Sequence, residues 1–359
     1  MKFRDDINKV MDSVDIQIDH EMKNKILDQT TRRSDSRQVL WGVRKKSVAV
    51  AMAAVLCIGT VAVGASELPK LWNTTVAKIF NADEKTQEKL AEKGYADIKE
   101  TKENSTDVLT ATNNGITVSV KQVLSDKYGI KIFLDVKSTN KLNLSDVGKV
   151  FDENGLYIDG KDVYSNHGGG ALSKEYSVSD YGFVYEISCI NESAVDIRGK
   201  EVSVHLANLV GGSHKLDDDV LVEGDWNLHW TGKSNCDTKT IKLNNTYKGQ
   251  GENQGKTNYA DYNLKSLEIS PLSACLTYDC QDWAKVLAGL NDKPVPLKIV
   301  MKNGEAYGRT IYDGVDEKHL LGTQGGQDDK KEVFSFGDVA LDIDNIDYVE
   351  VAGVRYDVK

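Results

Sequence analysis

One segment constrains this chain more than any other: residues 47–66 (SVAVAMAAVLCIGTVAVGAS) contain no charged side chain. A helix of twenty residues is about 30 Å long, which matches the hydrocarbon thickness of a bilayer. Arg44, Lys45 and Lys46 precede the segment, and Glu67 follows it. Because basic residues favour the cytoplasmic end of a span, the segment predicts a single-pass protein of the cell membrane. Its N-terminus would be cytoplasmic and its C-terminal part extracellular.

Two other interpretations of residues 47–66 stay open. The segment could be a buried core helix, or a signal peptide, because Val63-Gly64-Ala65 matches a small-residue cleavage pattern. Ala65 is therefore a candidate cleavage site. The small residues Ala49, Ala53 and Cys57 recur at every fourth position, which also suits pairing of two membrane helices. A signal could then pass by dimerisation or by proteolysis.

Residues 1–46 form a short arm whose pattern predicts two small amphipathic helices. Such a segment is too short to bury its own apolar faces, so we expect a partner to cover them. The alternative is that the faces lie on the membrane lipid, toward which the basic residues would draw them. The arm has no Cys and only one His, which excludes a zinc-stabilised fold. The predicted partner-binding residues are the apolar positions of the two helices: Ile7, Val10, Met11, Val14, Met22 and Ile26.

Residues 67–105 are predicted to be juxtamembrane helices and a linker, and the pattern then changes. Ile116, Val118 and Val120 alternate with polar residues, as in a strand with one buried face. Further alternating runs are separated by hairpin dipeptides such as Asn114-Gly115. This predicts an antiparallel β-sandwich-like domain over residues 106–247. The glycine-rich stretch 248–256 (KGQGENQGK) is the predicted boundary to a second small β-rich domain, residues 257–359.

The predicted fold class is thus mainly β, with short cytoplasmic helices, one transmembrane helix and extracytoplasmic sandwich-like domains. The net charge is −10, which argues against direct nucleic-acid binding.

No catalytic set can be assembled from the sequence. His167-Gly168-Gly169-Gly170 resembles the oxyanion loop of lipases, but the matching Gly-x-Ser-x-Gly motif is missing. The acidic groups 217–219 and Asp342/Asp344/Asp347 could bind calcium, yet they lack the glycine and distal Glu of an EF-hand loop. Solvated turns are the better interpretation. We therefore expect no enzyme activity, no metal and no cofactor.

Four cysteines, at positions 189, 236, 275 and 280, follow the predicted span. An extracellular location would allow disulfides, and four cysteines permit three full pairings. Cys275 and Cys280 are the candidate disulfide pair, because they could bridge a turn. In its predicted strand Cys189 falls on the same alternating positions as the core-facing residues, so it could equally be a buried thiol.

Several stretches together resemble single-pass bacterial membrane proteins with the domain of unknown function 4179. They are residues 14–19 (VDIQID), the basic triplet and span, residues 72–80, residues 114–126 (NGITVSVKQVLSD) with the strand 130–134, and residues 267–272 (LEISPL). Members of that family are suspected anti-sigma factors. The resemblance implies a membrane-anchored regulator whose cytoplasmic arm binds an extracytoplasmic-function sigma factor and whose outer part senses an unknown extracellular ligand. The alternative is a cell-surface binding or interaction module with no sigma-factor partner.

Overall fold

The structure is a computed structural model that describes residues 74–80, 83–100, 105–142, 150–163, 167–171, 180–190, 195–211, 220–253, 256–280, 295–309, 315, 319–321 and 330–358. All of them belong to the second of two compact units, Ala65–Lys359. The described part of this unit is mainly β: its strands form four antiparallel sheets, and two short α-helices precede them.

The helices are α1 (Thr74–Ile79) and α2 (Glu84–Glu92). The Asp83 side chain caps the second helix, because it accepts a hydrogen bond from the Thr86 backbone N–H at 2.7 Å. The apolar residues Val76 and Leu90 are buried, while most of the polar positions face solvent. We call residues 74–95 the strap.

The first sandwich consists of two sheets. One has the strand order β1-β3-β4-β8-β7, with β2 also paired to β3, and the other has the order β10-β9-β5-β6. Their bounds are β1 Ala96–Ile98, β2 Thr110–Asn113, β3 Ile116–Ser125, β4 Gly129–Ser138, β5 Val150–Ile158, β6 Lys161–Asp162, β7 His167–Ala171, β8 Gly182–Ile190, β9 Glu201–Val210 and β10 Val220–Thr231.

Aromatic side chains from both sheets pack together in the core of the first sandwich. The Phe151 ring contacts the Tyr185 ring at 5.0 Å and the Trp226 ring at 5.4 Å, both edge to face. The indole N–H of Trp226 donates to the Ile116 carbonyl at 3.1 Å, so its polar atom is satisfied inside the core. The core also contains Cys189, as its alternating position predicted.

The second sandwich also has two sheets. The strand orders are β11-β13-β14-β17, with β12 paired to β13, and β16-β15-β18-β19. Their bounds are β11 Lys239–Lys242, β12 Thr246–Asn253, β13 Lys256–Ile269, β14 Ser273–Cys280, β15 Leu297–Met301, β16 Ala306–Gly308, β17 Lys331–Ser335, β18 Ile346–Val351 and β19 Val354–Asp357. Apolar residues of both sheets form one core.

The sandwiches meet earlier in the chain than the glycine-rich stretch suggests. Residues 248–256 lie in the β12–β13 hairpin, where Gly249 pairs with Ala260. The Tyr262 ring occupies the space beside Gly249, since a Cβ there would come within 2.7 Å of the ring. The glycines therefore serve a hairpin inside the second sandwich, and the change of sandwich falls between β10 and β11, at residues 232–238.

The prediction of a transmembrane helix is corrected by the structure. In the described part of the chain no helix is long and apolar enough to cross a bilayer, and α2, the longer helix, has 9 residues. A membrane-spanning helix needs about 20. The segment 47–66 itself lies outside the described residues. The finding contradicts the transmembrane part of the predicted fold class and, with it, the single-pass cell-membrane localisation, and neither is retained.

Candidate functional site

The predicted partner-binding residues lie outside the described part of the chain. This holds for Ile7, Val10, Met11, Val14, Met22 and Ile26, and for the candidate cleavage residue Ala65. Their roles stay predictions. The described residues point to a different place, the junction where the strap and the two sandwiches meet.

A buried carboxylate joins the two sandwiches at this junction. Asp126, in the β3–β4 turn, is fully buried. Within its own turn its Oδ1 accepts from the backbone N–H groups of Tyr128 at 3.0 Å and Gly129 at 2.9 Å. From the β13–β14 turn it accepts from the Leu272 N–H at 2.9 Å and the Ser273 hydroxyl at 2.8 Å. One side chain therefore satisfies donors of both sandwiches.

Two opposing effects act on the ionisation of Asp126. Burial raises its pKa above the usual aspartate range, because the charged form is deprived of water. The hydrogen bonds from Ser273, Leu272, Tyr128 and Gly129 act in the opposite direction, since they stabilise the carboxylate. The site thus depends on these four donors to hold a charge at the junction.

A second polar contact lies beside Asp126. The Glu268 carboxylate of β13 accepts from the Lys127 ammonium and the Tyr128 hydroxyl, both at 2.5 Å. Burial works against ionisation of Glu268, but these two donors hold its pKa below the usual value. Around them Tyr128 packs with Cys275 and the fully buried Val333 in a small apolar cluster between the sandwiches. Polar and apolar contacts together make the junction a packed interface.

The strap fills the third side of the junction with its apolar face. The Phe80 ring lies edge to face against Phe133 of β4, with centroids 6.1 Å apart. Leu90 belongs to the same cluster, which also includes Leu272 of the second sandwich. The same short helical segment therefore contacts both sandwiches.

Charged groups hold the strap to the second sandwich as well. The Lys89 ammonium donates to Asp342 at 2.6 Å and lies 3.2 Å from Asp344, which also pairs with Lys93. The Lys93 hydrogen bond, followed by that of Lys89, lowers the pKa of Asp344. Asp342 also caps the 3-10 helix Ile343–Asn345. Two of the three aspartates considered above for calcium, Asp342 and Asp344, are thus engaged with lysines.

The chain between the sandwiches binds the end of the strap. The Asn235 amide donates to the Lys93 carbonyl at 2.8 Å, and the Tyr95 hydroxyl donates to the Asp237 carbonyl at 2.9 Å. Tyr95 also accepts, through its backbone carbonyl, from the Ser125 N–H at 2.9 Å. The strap is therefore bonded to the first sandwich, the connecting segment and the second sandwich.

A cleft of about 500 Å³ opens beside the junction. Lys131 and Glu186 line it and form an ion pair of 2.7 Å, with both side chains mostly buried. Its remaining lining comes from both sandwiches and includes Ser188, Leu272, Ser335 and Asp338. Gly129 and Leu272, whose N–H groups bind Asp126, both line the cleft, so a molecule bound there would touch both sandwiches.

The structure does not bring the candidate disulfide pair together. Cys275 and Cys280 are both buried free thiols within β14. Residues five apart in one strand lie about 16 Å apart and point to opposite faces, whereas a disulfide needs Cα atoms within about 7 Å. Two separate thiols replace the predicted bridge.

The remaining motifs do not form a site either. His167 to Gly170 belong to β7, which pairs with β8, so this stretch is a strand and not an oxyanion loop. Residues 217–219 lie outside the described part of the chain. Within the described ranges, no group of three or more His, Cys, Asp or Glu side chains is placed to hold a metal ion.

Part of the junction has a recognisable sequence pattern. An aspartate followed at the third position by glycine, as in Asp126-Lys127-Tyr128-Gly129, is typical of a turn in which the side chain binds its own backbone. That Asp126 also binds a second turn could not be read from this pattern. The Leu267–Leu272 stretch, noted above only for its resemblance to a family, supplies part of the other side.

Comparisons with known proteins add little to this geometry. No protein-family profile matches the chain, and no curated protein matches it. Among solved structures, the chain is similar to one described as the crystal structure of the conserved domain protein from Bacillus anthracis. The two are 19% identical, the match covers 78% of this chain and 84% of that chain, and the TM-score is 0.43.

Proposed function

We propose that this protein is a non-enzymatic regulator, similar in its mode of action to an anti-sigma factor. Its residues 1–46 would bind a protein partner, and the two sandwiches would control how that arm is presented. The observation that carries the proposal is the strap: residues 74–95 follow the arm in the chain and are bonded to both sandwiches and to the segment between them.

The strap shares its contacts between the two sandwiches. Exposing the side chain of Phe80 or of Leu90 to water costs about 1.5–3 kcal/mol in each case. The surface on which these side chains pack is built from both sandwiches. The Lys89–Asp342 pair adds a contact to the second sandwich alone. Any event that separates the sandwiches at Asp126 would therefore remove part of what holds the strap. The arm precedes the strap in the chain, so release of the strap would change how the arm is tethered and how it is presented to a bound partner.

The Asp126 contact suits this role because it is strong when formed and costly when broken. Separation of the turns would break the hydrogen bonds that the carboxylate accepts from Leu272 and Ser273. Each is a hydrogen bond to a charged group, which contributes about 1.5–3 kcal/mol. The junction should therefore behave as a two-state element, which is what transmission between distant parts of a chain requires.

The experiment that tests the proposal uses the full chain, tagged at its C-terminus and expressed in the cells from which it derives. Proteins that co-purify are identified by mass spectrometry. We expect a sigma factor or another regulator to be recovered with the wild type and lost from the variant Val10→Asp/Met11→Asp, because two charges on the apolar stripe would be buried without partners. Ser13→Asp, which lies off the stripe, is the matched control and should retain the partner.

The junction is tested with the same capture. Asp126→Ala should change the amount of partner recovered, whereas Asp180→Ala, at an exposed ion pair with Lys141, should not. If no partner is recovered with the wild type, the regulator proposal fails, and the alternative of a binding or interaction module without a sigma-factor partner takes its place. If a partner is recovered but Asp126→Ala leaves its amount unchanged, the arm binds without control by the junction.

A further inference from the structure

The outer face of the sheet β10-β9-β5-β6 carries a groove that plays no part in the junction. Its floor consists of two rows of residues that face one another across the strands. In one row Tyr157 pairs with Ser203, which pairs with His229. In the next row Gly155 pairs with His205, which pairs with Asn227. The groove has a volume of about 370 Å³, within the range of small-molecule sites.

The ring of Tyr157 lies flat against this face of the sheet. A Cβ built on Gly155 would come within 2.7 Å of Tyr157 Cε2, 2.8 Å of its Oη and 3.0 Å of its Cζ. The far end of the phenol ring therefore crosses the position of residue 155 instead of standing away from the sheet. The ring can take this position because residue 155 is a glycine and has no Cβ. The result is a half-buried aromatic surface beside His205 and Ser203.

Hydrogen-bonding groups next to this ring are held in place. The Asp225 carboxylate lies 3.0 Å from His205 Nε2 and also accepts from the Asn227 amide. The imidazole of His205 is 29% exposed and Asp225 is 55% exposed, so both remain within reach of a molecule in the groove. Orientation of an imidazole and an amide by one carboxylate provides a donor and acceptor set of defined geometry.

The chemistry of the groove selects a class of ligand. A phenol ring lying flat offers an apolar surface of ring size, while Ser203, His205, Asn227 and His229 offer hydrogen bonds around it. This combination matches a sugar ring, which has an apolar face of C–H groups and hydroxyls at its edge. Glu201 and Asp225 make the surroundings acidic, which disfavours a polyanion.

We propose that this groove binds a neutral oligosaccharide, with one pyranose ring stacked on Tyr157 and the adjacent hydroxyls bonded to His205 and Asn227. A volume of about 370 Å³ has room for one or two sugar rings. The proposal is independent of the regulatory role proposed above, because the groove contains neither arm nor junction residues.

The test is calorimetric titration of the full chain with cellohexaose and with hexa-N-acetylchitohexaose, both of which are neutral. We expect the wild type to bind at least one of them. Tyr157→Ala should weaken binding more than tenfold, and Tyr157→Phe should retain it to within about threefold, because the stacking surface is kept. Tyr259→Ala is the matched control: Tyr259 is an exposed tyrosine of the second sandwich, and its removal should leave binding unchanged. Equal thermal midpoints would show that the variants are folded.

Gly155→Ala provides a second, independent variant. The added methyl would displace the ring without removing any polar group, so binding should fall about as far as in Tyr157→Ala while the protein stays folded. Absence of binding to either sugar at millimolar concentration would overturn the proposal, as would a Gly155→Ala variant that binds like wild type. Binding of hexalysine in place of both sugars would identify the acidic groove as a site for cationic peptides and would likewise overturn it.

Discussion

The Ser273 hydroxyl of the second sandwich donates to the Asp126 carboxylate of the first at 2.8 Å, across 147 residues of sequence. Both side chains are buried, and each belongs to a tight turn closed by its own backbone hydrogen bond, Asp126 N–H to Gly129 and Ser270 N–H to Ser273. The two turns therefore meet as rigid units. This contact makes the relation between the sandwiches specific, whereas apolar packing alone would tolerate sliding.

Replacement of Asp126 tests the strength of this contact. Asp126→Ala would leave three buried backbone N–H groups and one hydroxyl without their acceptor, and each costs about 1–3 kcal/mol. We expect a loss of at least 3 kcal/mol in the free energy of unfolding. Ser273→Ala removes one donor from a carboxylate that keeps three others, so it should cost about 1–2 kcal/mol. Urea unfolding followed by far-ultraviolet circular dichroism measures both; equal costs for the two variants would contradict the central role of Asp126.

The pH dependence of the strap follows from Asp344. Its pKa is lowered in the folded protein by Lys93 and Lys89. A carboxyl group with a lowered folded pKa contributes stability above its unfolded pKa of about 3.9, and this stability is lost as the pH falls below that value. Because the groups are 27–39% exposed, the contribution should stay below about 1 kcal/mol.

The Asp344→Asn variant should therefore lose less stability than wild type when urea midpoints at pH 7 and pH 3 are compared. Asp357→Asn, at a highly exposed pair with Arg355, is the control and should follow the wild type. An Asp344→Asn variant with the full wild-type loss on acidification would show that the strap contacts do not depend on this charge.

A buried ion pair in the second sandwich allows a double-mutant cycle. Arg309 donates to both oxygens of Glu332, at 3.0 Å and 2.5 Å, and its guanidinium stacks on Phe334 at 4.2 Å. The Arg309 side chain is 1% exposed. Glu332→Leu alone would leave a buried cation unpaired and should cost about 3–5 kcal/mol, while Arg309→Met with Glu332→Leu should recover most of this. Additive losses in thermal or urea unfolding would exclude coupling between the two.

The thiols should differ in reactivity according to burial. Burial raises the pKa of Cys189 to about 11, and it raises the pKa values of Cys275 and Cys236 as well. Cys236 is half-buried whereas Cys189, Cys275 and Cys280 are buried, so iodoacetamide at pH 8 should label Cys236 first among the four. Peptide mass spectrometry after timed labelling measures the order. Recovery of a peptide that links Cys275 to Cys280 would contradict the structure.

Two glycines with different surroundings provide a packing test. A Cβ on Gly232 would come within 2.4 Å of the Ile197 carbonyl oxygen, a backbone atom that cannot move aside. On Gly211 the nearest atoms are those of the Leu221 side chain, at 3.7 Å or more. Gly232→Ala should therefore destabilise the protein by about 1–3 kcal/mol, while Gly211→Ala should stay within about 0.5 kcal/mol of wild type in urea unfolding.

The strands could be predicted from sequence because their pattern is local. Alternation of Ile116, Val118 and Val120 with polar residues predicted a half-buried strand, and the structure has β3 there with this alternation of burial. The turn dipeptide Asn114-Gly115 predicted a hairpin, and both residues have positive φ, 44° and 80°. Such features depend on neighbours within a few residues, so they can be predicted from the order of residues in the chain.

The division into domains and the junction depended on tertiary structure. Glycines at 248–256 have the composition of a linker, and only the pairing of Gly249 with Ala260 places them inside a sheet. Asp126 resembles any turn aspartate until the β13–β14 turn is brought against it by the folding of the rest of the chain. Sequence alone determines which residues alternate and where the chain turns, because these preferences are set by the local backbone. Which turns meet is decided by the packing of whole sheets, and for that reason the Asp126–Ser273 contact appears only in the folded protein.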